Sequence, residues 1–278
     1  MKRRHRRITP GGVIAVVVGG LVALVVIAPL LWLLVSSFKT DRGIIAYPPS
    51  FFPTEWTLAQ YASVNNSIPV LTMTKNSLIF AGSVTVISLA LDSLAGYAFA
   101  RYNFRHKKLW FSVILLTMMV PFQVIMTPLY IQEFHMGILN TFAGLILPRA
   151  TSAYGIYMMR SFFVRLPASL EEAGRLDGVS EFGIFWRIML PQCWPALVAL
   201  GVFHFMNNWN DLLYPLMLTS STDMRTLSAG LAVLVGNKVI KFGPTLAATM
   251  ISILPLLILY IFGQRAFREG AAMTGMKE

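Results

Sequence analysis

Apolar residues in this chain gather into long blocks rather than alternating or recurring once per helical turn, and short polar connections separate the blocks. Six of them, residues 13–35, 76–100, 109–131, 141–159, 196–218 and 246–263, are near the length that crosses hydrocarbon. About 20 helical residues span the roughly 30 Å involved. The pattern predicts an all-α membrane protein with six transmembrane helices, one domain over residues 1–278. The first block follows MKRRHRR, which is how a secretory signal begins, but it is read as a retained helix. Its apolar run exceeds the usual signal core of about 7–15 residues, and no A-x-A site follows. Pro121 and Pro128 should kink the third block, and Pro148 and Arg149 lie inside the fourth. Prolines are tolerated in spans where neighbouring helices or a cavity satisfy the freed carbonyls, which points to a bundle with an internal path.

The connection at residues 160–195 breaks the pattern. SLEEAGRLDGVSEFGIFWRIMLP carries charges at near-helical spacing, a central glycine and a terminal proline. Ser169 and Glu172 fit an S-x-x-E capping box, and Glu171 and Glu172 fall in a first turn, where the helix dipole favours anions. Gly178 suits a helix stop because glycine accepts a left-handed backbone. Ser180 can cap a second helix with Phe182, Phe185, Trp186 and Met189 on its apolar face and Pro191 at its end. A helix–turn–helix results. Elsewhere, Thr54 is expected to cap a short helix in TEWTLAQY, and the apolar stretch Leu227–Val235 is too short to span.

Charge then orients the chain. Hydrophobic residues make up 56% and charged residues only 13%, against about 25% charged in soluble domains. The net charge of +11 reflects loops rather than a nucleic-acid surface, since cytoplasmic connections are enriched in Lys and Arg. Sixteen such residues fall on the side holding the N-terminus, residues 101–108, residues 160–187 and the C-terminus, and six on the other. Both termini and the hairpin are therefore expected in the cytoplasm. The single cysteine, Cys193, excludes an intrachain disulfide, and the four scattered histidines offer no metal-ligand spacing.

Charges within spans cost at least about 2.5–3.5 kcal/mol, so Asp92, Arg149 and Asp211 should face a cavity or a partner. Asp92 lies among Ser88, Ser93 and Gly96, small residues suited to close helix contact, and reads as a buried structural hydrogen-bonding group. NNWNDLLYP places Asn208, Trp209, Asn210, Asp211 and Tyr214 near one end of the fifth block. Amides, a carboxylate and aromatic faces suit a sugar path. An interfacial anchor with interhelix hydrogen bonds explains them equally well.

The segment EAGRLDGVSEFGIFWRIMLP is similar to the EAA loop of ABC importer permeases: E-A-A, three residues, G, nine residues, then I-x-L-P. Glu172, Ala173, Gly174, Gly178, Ile188, Leu190 and Pro191 take those positions, with Gly174 where the family has alanine. NSLIFAGSVTVISLALDSLAGYAFARYNF, FMNNWNDLLYPLML and FGQRAFREGAAMTGMK extend the resemblance along nearly the whole chain, to the MalG-like carbohydrate-uptake branch. The resemblance implies a multi-pass permease of a prokaryotic inner membrane. It implies docking on an ATPase through Glu172, Ala173, Gly174, Asp177, Gly178, Ile188 and Pro191, with the small residues allowing close approach and Glu172 meeting a basic group. Implied partners are a second, MalF-like permease, two copies of an ABC ATPase, an extracytoplasmic solute-binding protein, a sugar-like substrate and membrane lipid. Asn208, Trp209, Asn210, Asp211 and Tyr214 would line the path. The chain has no Gly-Lys dipeptide and so cannot build a P-loop. It is expected to be no enzyme and to hold no cofactor, with ATP and Mg²⁺ on the partner ATPase. The alternative is a stand-alone, ion-coupled secondary transporter, for which six spans are few and the hairpin has no task. A membrane enzyme would need an H-E-x-x-H or G-x-S-x-G constellation that is missing.

Overall fold

A computed structural model describes residues 10–236 and 241–275. Every regular element among the described residues is helical. The basic residues Lys2, Arg3, Arg4, Arg6, Arg7, Lys238 and Lys277 lie outside them. In chain order the helices are α1 (Pro10–Ser36), α2 (Asp41–Ile44), α3 (Ala59–Ser67), α4 (Val70–Arg101), α5 (Lys107–Thr117), α6 (Phe122–Met136) and α7 (Phe142–Ile146). A 3₁₀ turn (Leu147–Arg149), α8 (Ala153–Arg165), α9 (Ser169–Leu176) and α10 (Glu181–Gly183) follow. A π-helical segment (Ile184–Met189) leads into α11 (Leu190–Gln192), then α12 (Trp194–Trp209), α13 (Leu213–Leu218), α14 (Leu227–Gly236) and α15 (Phe242–Gly275).

Three helical stretches among the described residues are long and apolar enough to cross a membrane: Val13–Ser36, Val70–Arg101 and Phe242–Ile261. Two bent pairs could raise the number to five, α5 with α6 at 96° and Glu181–Gln192 with α12 at 81°. The fourth expected span is not one helix but α7, the 3₁₀ turn and α8. Three of the breaks have a local cause. Pro121 caps α6 in an extended conformation, and the residue before a proline is pushed out of the helical region, so α5 stops at Thr117. Pro148 sits in the 3₁₀ turn, and Ser152 Oγ then restarts the helix by accepting from the Gly155 N–H. Pro215 has no N–H to reach the Asp211 carbonyl, so α12 and α13 part at residues 210–212.

The chain divides into two compact units, residues 1–68 with Leu234–Ile251, and Pro69–Val233 with residues 252–278. In the first, residues 13–32 of α1 are exposed all round, as expected of a helix whose solvent is lipid or another chain. Lys39 is buried there, with its Nζ donating to the Ser50 carbonyl at 2.6 Å and lying 4.4 Å from the Trp32 ring centre. The predicted Thr54 cap does not form. The short helix starts at Ala59 after Leu58, because Thr57 Oγ1 takes the Ala59 N–H at 3.0 Å.

In the second unit α4 is the spine, packed against α8 and α12. Its face Ser88, Asp92, Ser93 and Gly96 is buried. A Cβ added at Gly96 would stand 2.8 Å from the Arg160 nitrogen, and one at Gly155 would overlap the Asp92 carboxylate. Glycine is required at both, at Gly96 because the α8 backbone lies against it and at Gly155 because the Asp92 carboxylate does. One cluster (Tyr97, Met159, Phe163, Ile184, Phe185, Met189, Cys193, Ala196 and Leu200) bonds the 169–192 hairpin to α4 and α8. Another joins Phe80, Val84, Leu145, Tyr214 and Leu218.

Candidate functional site

Three helix breaks of the second unit meet around two cavities of about 350 and 810 Å³, which share Phe122, Arg149 and Asn207 in their walls. Non-helical backbone at membrane depth is tolerated where it lines a cavity or is buried in protein. The α5–α6 break supplies Phe122 and Gln123, the α7–α8 break Pro148, Arg149, Thr151 and Ser152, and the α12–α13 break Asn210, Asp211 and Leu212. Arg149 forms an ion pair with Asp211. It also donates to Asn208 Oδ1 at 3.4 Å and lies 4.3 Å from the Tyr214 ring centre.

Beneath this wall Asp92 is fully buried and saturated. Its Oδ1 accepts from Thr151 Oγ1 at 2.6 Å and from the Ser152 N–H at 2.9 Å, while Oδ2 takes Ser152 Oγ at 3.3 Å. His204 Nε2 lies 3.1 Å from the same Oδ2. Asp92 thus pins the start of α8 to α4, in keeping with the structural role its small neighbours suggest. The sequence gives no local sign of His204 as its partner, 112 residues away.

The predicted path residues separate. Asn208, Tyr214, Asn210 and Asp211 line the cavities. Asn208 donates to the His204 carbonyl at 2.8 Å, and the Tyr214 hydroxyl donates to the Gly144 carbonyl at 2.8 Å. Trp209 lines neither cavity. It is 2% exposed, stacks on Phe205 and donates its indole N–H to the Ser252 carbonyl at 3.1 Å. Gln123 and Phe203 line the cavities without having been singled out in the sequence, and Asn207, the first amide of NNWNDLLYP, lines both. Exposed amides at 123, 207 and 210 beside the aromatic rings can pair with hydroxyl groups and cover an apolar face.

The hairpin presents a different surface. Gly178 takes φ +75°. Its N–H reaches the Arg175 carbonyl at 3.1 Å and that of Val179 reaches Gly174 at 2.9 Å, the two bonds of a Schellman stop. Ser180 Oγ accepts from the Gly183 N–H at 3.2 Å. The expected capping box is not made. Ala168 is already helical (φ −64°, ψ −27°), so Ser169 falls inside the first turn, out of reach of a cap.

Glu172, Ala173, Asp177, Gly178 and Pro191 are exposed. Gly174 is buried, and a Cβ there would lie 2.8 Å from Ile188 Cδ1 and 3.1 Å from Ile184 Cγ1. Its small size lets the hairpin close on itself against Ile184 and Ile188. Phe185 and Met189 of the predicted apolar face are buried, whereas Phe182 and Trp186 are exposed, as is Leu176 at 90%. Arg175 clasps Glu181 across the turn, Nε to Oε1 at 2.6 Å and Nη2 to Oε2 at 3.1 Å. The bond from Arg175 holds the Glu181 carboxyl below its ordinary pKa, and burial followed by the Glu181 bond pushes the Tyr102 phenol up.

A family model described as "Binding-protein-dependent transport system inner membrane component" matches residues 92–268. The chain is 33% identical over 259 residues to the arabinooligosaccharides transport system permease protein AraQ of Halalkalibacterium halodurans, covering 92% of this chain and 93% of that protein. It is 32% identical over 247 residues to the diacetylchitobiose uptake system permease protein NgcG of Streptomyces coelicolor, covering 87% and 82%. Its fold is similar to a chain of a bacterial ABC transporter involved in import of the acidic polysaccharide alginate, with TM-score 0.83, 22% identity and coverage of 95% and 99%.

Proposed function

The chain belongs to the family of binding-protein-dependent transport system inner membrane components, and from that membership we infer a membrane-spanning subunit of an ATP-driven importer for a sugar-like solute. Relatives named for arabinooligosaccharide and diacetylchitobiose uptake support the solute class. A solute-binding protein outside the membrane delivers the solute, and a second, MalF-like permease completes the path. Two copies of an ABC ATPase hold ATP and Mg²⁺. Six crossings are proposed: α1, α4, the α5–α6 pair, the broken segment 142–165, α12 with α13, and α15. Both termini and the hairpin then lie in the cytoplasm of a prokaryotic cell, in keeping with the Lys and Arg bias.

The hairpin carries this reading. Its outer surface combines Leu176 and Phe182 with Glu172, Ala173, Asp177 and Gly178, all exposed, while its other face is packed on α4 and α8, where Trp186 borders an apolar groove with Val86 and Leu89. An apolar group as exposed as Leu176 beside a helix end suits a docking surface. Glu172→Ala and Gly178→Asp variants of the tagged chain, purified from native membranes in mild detergent, should lose the ATPase while the second permease stays bound. Retention of the ATPase at the unaltered level by both variants would remove the hairpin from the docking interface.

A further inference from the structure

Docking alone moves nothing unless the hairpin is fastened to a spanning helix, and the fastening visible here involves the glutamate beside the motif. On α9 Glu172 faces outward, but its neighbour Glu171 is 5% exposed and turned toward α4. The Tyr97 hydroxyl donates to Glu171 Oε1 at 2.8 Å. Arg101 Nε stands 3.4 Å from the same oxygen, an ion pair without a hydrogen bond, and Arg101 Nη2 donates to the Leu166 carbonyl at 2.6 Å. A second, exposed strap runs from the Tyr102 hydroxyl to Glu181 Oε2 at 3.1 Å, and Glu181 is the residue Arg175 clasps. Tyr97, Arg101 and Tyr102 occupy the last turn and C-cap of α4, so α9 and α10 are both tied to one helix end.

That helix is unbroken from Val70 to Arg101. Five residues before Tyr97 it holds Asp92, about 7.5 Å along the axis at 1.5 Å per residue. Asp92 grips Thr151 and Ser152 at the α7–α8 break, beside Arg149 in the cavity wall, and meets His204 of α12. The aromatic packing of Tyr97 on Phe163 and Phe185, with ring centres 5.3 and 5.2 Å apart, resists sliding at the tie itself. A displacement of the hairpin thus has a rigid, polar-bonded route to the cavity.

We propose that Glu171, held by Tyr97 and Arg101, is the positioning residue that transmits hairpin movement through α4 to the cavity, as distinct from the outward Glu172 that meets the ATPase. This inference rests on the importer reading above. Its test uses the assembled complex in proteoliposomes and needs no knowledge of the sugar. A reporter thiol is placed on the cavity wall by Leu213→Cys, against the low background of the one native cysteine, Cys193, which is buried. Labelling by a membrane-impermeant maleimide is compared without nucleotide and after trapping with Mg²⁺-ATP and vanadate.

With Glu171 unaltered, trapping should change the labelling rate at least about fivefold, the lower range of ordinary allosteric coupling. Glu171→Ala should abolish that change while the ATPase still co-purifies and still hydrolyses ATP. Tyr97→Phe keeps the packed ring and removes only the hydroxyl, so it should reduce the change part-way even if Glu171→Ala assembles poorly. A full nucleotide response in both variants would overturn the proposal. So would loss of the ATPase from a Glu171→Ala chain that keeps its thermal midpoint and its second permease, which would make Glu171 a docking residue. If the unaltered chain itself carries no ATPase, or shows no nucleotide response, the importer reading fails and this proposal falls with it.

Discussion

At the scale of single residues, adjacent positions do opposite things, and the difference is set by which way a helix turns. Glu171 and Glu172 look alike in the sequence as first-turn acids, yet one is buried under Tyr97 and the other faces water. Gly174 and Gly178 both look like allowances for close contact, but the first is filled by Ile184 and Ile188 and the second takes a left-handed backbone. The Gly178 stop and the Ser180 cap were legible because they depend on residues within five positions. The Asp92–His204 pair was not, because it depends on how α4 and α12 pack. Gly155 tests how tight that packing is. Any side chain there would strike the Asp92 carboxylate, so Gly155→Val should destabilise the protein by about 1–3 kcal/mol, the usual cost of overpacking. It should lower the thermal midpoint of the detergent-solubilised chain measured by fluorescence-detected size exclusion, whereas Gly82→Ala, at an open position inside α4, should keep or raise it, because alanine favours the helix over glycine.

At the scale of elements, hydrophobic block length located α1, α4 and α15 well but could not say which blocks bend. Pro121, Pro148 and Pro215 mark three of the breaks and were visible in the sequence. That these three converge on one pair of cavities is a tertiary fact, since block pattern carries no information on which interruptions meet in space. The same limit explains Trp209, which shares a polar cluster with Asn210 in sequence but turns its indole to Ser252 of α15. The two residues should therefore respond differently to replacement. Asn210→Ala should lower uptake per assembled complex with the thermal midpoint unchanged. Trp209→Phe should lower the midpoint by the equivalent of about 1 kcal/mol, the worth of one hydrogen bond, and leave uptake per folded complex near normal. Parallel vesicle uptake and thermal unfolding of the two variants check this.

At the scale of the whole molecule, the chain is a member of a transport-permease family whose described regular elements are all helical and whose surface is apolar over long stretches. Its Asp92, Arg149 and Asp211 are paired, while Glu133 is buried without a hydrogen-bonding partner among the described residues. Arg149 is neutralised by Asp211, and Asp92 is saturated by α8 and His204. The described residues hold no group of three or more candidate metal ligands. Glu133 is a single unpartnered buried carboxyl among the described residues, not a chain of free carboxylates of the kind that harvests an ion gradient. The most direct measurement is uptake, by vesicles containing the purified complex with its binding protein, of the labelled sugar that this binding protein retains. The account predicts accumulation that requires enclosed ATP and survives collapse of proton and sodium gradients. Accumulation by the chain alone, driven by an ion gradient without ATP, would contradict it.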